Sequence, residues 1–75
     1  MPRLPILSSS RVIKALERLG YVVVHQKGSH IRLAHPSRKE WPVTVPNYKA
    51  MDRSLLRIII QEANLTVQEF LELLD

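Results

Sequence analysis

Apolar and polar positions along the chain repeat first at a helical period, then at a period of two, then at a helical period again. Val12, Ile13, Leu16 and Leu19 fall at helical spacing, with Arg11, Lys14, Glu17 and Arg18 on the other faces. Ser8-Ser9-Ser10 precedes them as a run of N-cap candidates and Gly20 follows as a stop, which predicts a short amphipathic helix. Tyr21 to Gln26 is rich in β-branched and aromatic residues and is bounded by Gly20 and Gly28, so it predicts a strand. His30-Ile31-Arg32-Leu33-Ala34 alternates cleanly. With Ile31 and Leu33 toward a core, His30, Arg32 and Ala34 face away from it. Trp41 to Val45 predicts a third strand with Val43 and Val45 inward and Thr44 outward, Pro42 marking an edge or a strand start. Trp41 shares the parity of the two valines, which predicts burial of its ring. After a loop from Pro46 to Met51, Asp52 is positioned to cap a helix from Arg53 to about Ala63, its core stripe drawn from Leu55, Leu56, Ile59 and Ile60. Asn64 suits a left-handed stop. Thr66-Val67-Gln68-Glu69 matches a capping box, with Leu65 and Phe70 spaced as a hydrophobic staple before a last short helix.

The predicted order is α-β-β-β-α-α. Three strands in an antiparallel meander, with helices on one face and the other face open, make an α+β two-layer domain. No repeat, low-complexity tract or linker interrupts residues 1–75, so one domain is expected. A chain of this length buries only about 60% of its unfolded surface, and without cysteine neither disulfides nor thiolate ligation reinforce it. Apolar runs are too short to span a bilayer, and Met1 to Leu7, broken by Pro2 and Pro5, does not read as a signal peptide; a cytoplasmic protein without membrane association is expected.

Charge changes the picture more than composition does. Residues 1–60 hold all eleven Lys and Arg against three acids, a net of +8, whereas residues 61–75 hold four acids and no base. A basic body attracts phosphate, and an acidic end offers contacts to a basic partner.

Candidate chemistry concentrates in Lys27-Gly28-Ser29-His30, where a glycine permits a tight reversal between two strands. The even spacing of His25, His30 and His35 invites a metal reading, but strand alternation works against convergence and no cysteine or nearby carboxylate completes a ligand set. No metal or other cofactor is expected. Ser29 and His30, as adjacent residues, point to opposite faces and do not form a nucleophile–base pair. What remains is an exposed imidazole, a group that titrates at about 6.5 as a residue type, among cations. Lys27 and Arg32 flank His30, and Arg38 and Lys39 lie further along. RNA cleavage by its own 2′-hydroxyl needs a base, an acid and positive charge on the phosphate, all of which side chains of these types supply. DNA lacks the 2′-hydroxyl. A non-catalytic double-stranded RNA-binding module and a protein-interaction domain are the alternatives that the same residues allow; in either, His30 is simply a polar residue at a strand start. Tyr21, Trp41 and Tyr48 are candidates for stacking on bases.

The chain also resembles the HicA-type toxins, small mRNA interferases of prokaryotic toxin–antitoxin pairs. Arg11 to Tyr21 looks like the family's first helix with its glycine-aromatic stop, and Lys27-Gly28-Ser29-His30 is similar to its G-S-H signature. Thr44-Val45-Pro46, Leu55 to Ile59, Asn64-Leu65-Thr66 and Glu69-Phe70-Leu71 match its later segments in order. The resemblance implies a double-stranded-RNA-binding-domain-like fold, metal-independent endoribonuclease activity on mRNA with His30 as the catalytic residue, and a HicB-type antitoxin covering the active site. Lys27, Arg32, Arg38 and Lys39 are then the expected phosphate contacts, with Gly28 and Ser29 shaping the rim. Two departures stand out: members commonly carry a histidine soon after T-V-P, where this chain has Asn47-Tyr48-Lys49, and many carry a second histidine after G-S-H, where this chain has Ile31.

Overall fold

The computed structural model describes residues 3–74; Met1, Pro2 and Asp75 lie outside the described residues, and with them part of the N-terminal segment read for a signal peptide. The described chain runs α1 (Ser9–Leu19), β1 (Val22–Lys27), β2 (His30–Ala34), β3 (Val43–Pro46), α2 (Arg53–Glu62) and α3 (Val67–Glu72). The order is the expected α-β-β-β-α-α, and the strands form one antiparallel sheet in the order β1-β2-β3, a topology consistent with a double-stranded-RNA-binding-domain-like fold.

Each helix is bounded by residues suited to its ends. Ser8 caps α1 by accepting a hydrogen bond from the Arg11 amide, and Gly20 ends the helix with a φ of 115°, a conformation that favours glycine. A Cβ on Gly20 would also lie 2.6 Å from Nε2 of His35, so both backbone and space require glycine there. Thr66 and Glu69 close the capping box on α3, and Asn64 takes the left-handed conformation with φ 56°. Asp52 sits at the N-cap of α2 but makes no side-chain cap hydrogen bond, contrary to the sequence expectation. The chain there is held instead by the N-terminal segment: Leu7 bridges Met51, and Arg53 donates through Nε to the Leu4 carbonyl at 2.6 Å.

The core lies between the helices and the inner side of β2 and β3. Leu33 pairs with Val43 and Ile31 with Val45, and these side chains meet Leu16, Leu56, Ile59, Ile60 and Phe70. Burial of such aliphatic and aromatic side chains contributes about 1.5–3 kcal/mol each before entropy is counted. Leu4, Leu7 and Met51 extend the same core. Trp41 departs from the predicted parity: it precedes β3 and is 36% exposed. Tyr21 precedes β1 and is buried, donating its hydroxyl to the Trp41 carbonyl.

The strand that reads as most apolar is the least covered. Every residue of β1 is exposed, including Val22, Val23 and Val24, because α1 and α2 pack on the β3 side of the sheet. β1 is an edge strand, and its register shifts between Val23 and His25, leaving Val24 as the extra residue of a bulge. A bulge of this kind twists an edge away from further pairing.

Candidate nucleic-acid interface

The site is built on the β1–β2 hairpin. Lys27 pairs with His30 across a two-residue turn, and Gly28 takes a φ of 59°. Gly in positive φ at the first turn position, with Ser29 outside that region, is the pattern of a type II′ hairpin, whose twist matches the strands. A Cβ on Gly28 would meet nothing within 4 Å, so backbone conformation and not crowding demands glycine.

Register sorts the two faces of the sheet. Directly paired residues share a face, and Leu33, Ile31, Val43 and Val45 define the inner one. Outward therefore point Lys27, His30 and Pro46 in one row, and His25, Arg32 and Thr44 in the next. His25, Lys27, His30 and Arg32 are all exposed. Among the described residues none of these four side chains has a hydrogen-bond or ion-pair partner. The open face thus presents two imidazoles alternating with two cations. His25 and His30 share this face.

The third histidine has a different place. His35 bonds through Nε2 to the Leu19 carbonyl at 2.8 Å, and its Nδ1 accepts from the Ser37 amide at 3.0 Å. A carbonyl partner on one nitrogen and an N–H partner on the other require the neutral Nε2–H tautomer. Its ring meets Tyr21 edge to face at 5.2 Å, so His35 ties the end of α1 to the loop after β2. Among the described residues, no group of three or more His, Cys, Asp or Glu side chains is placed to hold a metal ion.

Arg38 and Lys39 lie in the β2–β3 loop, beyond Ala34. Four residues of strand separate that end from His30, about 13 Å at the usual rise per residue. The Arg38 guanidinium bonds to the Ala63 carbonyl and, at 3.3 Å, to the Asn64 carbonyl, closing the C-terminus of α2, while its Nε is buried without a partner. Lys39 is exposed. The structure therefore groups Lys27, Arg32 and His30 with the hairpin rim of Gly28 and Ser29, and sets Arg38 and Lys39 apart.

One contributor escapes a reading from sequence. Ser9, fully buried at the first turn of α1, donates its hydroxyl to the Pro46 carbonyl and accepts from the Tyr48 amide at 2.7 Å, while its own amide donates to the Tyr48 carbonyl at 2.9 Å. Asn47 in turn donates its amide to the Ser29 carbonyl at 2.7 Å. Helix α1, the exit from β3 and the hairpin turn are thus locked together beside His30. Tyr48 stays half exposed on this junction and lines an open cleft of about 370 Å³ with Ala50, Asp52 and Leu55. Nothing in Ser8-Ser9-Ser10 distinguishes the middle serine as the clamp, because all three suit an N-cap.

Comparison with known proteins covers most of the chain. The family model described as HicA toxin of bacterial toxin-antitoxin matches residues 9–65, from the start of α1 to just beyond α2. A comparison with individual curated proteins finds no match.

Proposed function

The chain belongs to the HicA toxin family of bacterial toxin–antitoxin systems, and on that premise we propose that it is an endoribonuclease that cleaves mRNA without a metal ion and is restrained by a HicB-type antitoxin. The observation that carries this reading is the placement of His30. It stands exposed on the open sheet face, directly across from Lys27 and two residues from Arg32. His30 serves as general acid/base on the 2′-hydroxyl and phosphate, a role worth roughly 10² to 10⁴ in rate. Lys27 and Arg32 hold the phosphate and stabilise the charge that grows on it in the transition state. Gly28 and Ser29 keep the rim narrow enough for the backbone of RNA to reach the imidazole. The antitoxin covers this same face, and the cytoplasm, where mRNA is found, is the site of action; no helix among the described residues is long and apolar enough to cross a membrane.

Induced expression of the wild type and of His30→Ala in cells lacking the antitoxin tests the reading. Arrest of growth with loss of intact mRNA by the wild type, and relief by His30→Ala at equal protein level, is the expected result. RNA binding with no shortened product from either protein would instead identify a non-catalytic double-stranded RNA-binding module.

A further inference from the structure

Cleavage by the route just proposed moves two protons, and one imidazole serves only one of them at a time. Building on that reading, we infer that His25 is a second catalytic residue, the proton donor to the leaving oxygen. In the sheet His25 pairs with Arg32 while His30 pairs with Lys27, so the two histidines are diagonal neighbours on the outer face of β1 and β2. Such diagonal positions are about 7–8 Å apart, within mutual reach of aromatic side chains and wide enough for a phosphate between the rings. Both side chains are exposed, and among the described residues neither is engaged by another protein group. The cations Lys27 and Arg32 occupy the other two corners of the same quartet. The arrangement is a phosphate seat with an imidazole at each end of one diagonal and a positive charge at each end of the other.

Other polar groups near His30 are less suited. Ammonium and guanidinium groups hold their protons too tightly to donate efficiently near neutral pH, and Thr44 is a weaker acid still. His35 is committed to Leu19 and Ser37. In the step, neutral His30 takes the proton of the 2′-hydroxyl as O2′ forms its bond to phosphorus. The P–O5′ bond breaks with its electron pair on O5′, which takes the proton of the His25 imidazolium. The products are a 2′,3′-cyclic phosphate and a 5′-hydroxyl, and exchange with water restores both imidazoles.

A leaving group that needs no proton separates this role from a structural one. Single-turnover cleavage at saturating RNA is measured for wild type, His25→Ala, His25→Gln and His30→Ala, on an ordinary RNA and on the same RNA with sulfur replacing the bridging 5′ oxygen. Thermal melts establish that the variants are folded. Both His25 variants are expected to lose about 10²- to 10⁴-fold on the oxygen substrate and to match the wild type on the sulfur substrate, while His30→Ala fails on both. Wild-type rates from the His25 variants on oxygen, or equal losses on both substrates, would overturn the role of His25 and leave that of His30 standing. No cleavage by the wild type of either substrate would overturn both.

Discussion

Single residues divide by whether their partners lie nearby in the chain. Gly28, His30 and Arg32 were legible because strand alternation and a two-residue turn are local properties. Ser9, His35 and Arg38 were not, since each bonds a backbone carbonyl 37, 16 or 25 residues away, and such a partner exists only once the fold has formed. Ser9→Ala removes the hydroxyl that joins Pro46 to Tyr48 and leaves a buried amide and a carbonyl short of a partner. A loss of about 1–3 kcal/mol is expected in urea unfolding. Faster hydrogen exchange at the Asn47 amide, which holds the hairpin turn, accompanies it. Unchanged exchange there would separate the serine from the site.

At the scale of elements, end signals proved more informative than hydrophobicity. Thr66 and Glu69 mark the start of α3, and the capping box forms as the motif requires. The Thr66 backbone and side-chain hydrogen bonds hold the Glu69 carboxyl below its ordinary value. A carboxyl lowered on folding stabilises the native state above its unfolded pKa, and the contribution disappears as pH falls through the folded one. The Thr66 amide resonance therefore titrates with a midpoint below that of an unstructured glutamate, and Glu69→Gln abolishes the titration. By contrast, the valines of β1 mark a strand without saying whether anything covers it. Val24→Thr is expected to change stability by no more than about 0.5 kcal/mol, whereas Leu33→Ala on the neighbouring strand costs about 2–5 kcal/mol. Denaturant midpoints for the pair check the one-sided burial of the sheet. Asp52 carries a related lesson: a capping residue at the right place stays uncapped when Leu4 and Leu7 already anchor the entry to α2.

Over the whole molecule, the outer sheet face gathers Lys27 and Arg32 with His25 and His30, while Glu62 ends α2 and Glu69 and Glu72 lie on α3. The charge asymmetry was visible in the sequence, but the gathering of Lys27 and Arg32 beside His25 and His30 depended on the pairing of β1 with β2. Binding of single-stranded RNA should weaken steeply with salt, and Lys27→Ala and Arg32→Ala should each reduce the slope of log affinity against log salt by about 0.7. Arg38→Ala, which removes the closure of α2, should lower stability while leaving that slope alone. The central claim is that this face cleaves RNA with His30, and end analysis of RNA incubated with purified protein in excess chelator tests it most directly. The account predicts fragments ending in 2′,3′-cyclic phosphate from the wild type and intact RNA from folded His30→Ala; cleavage that requires a divalent ion, or that persists in His30→Ala, would contradict it.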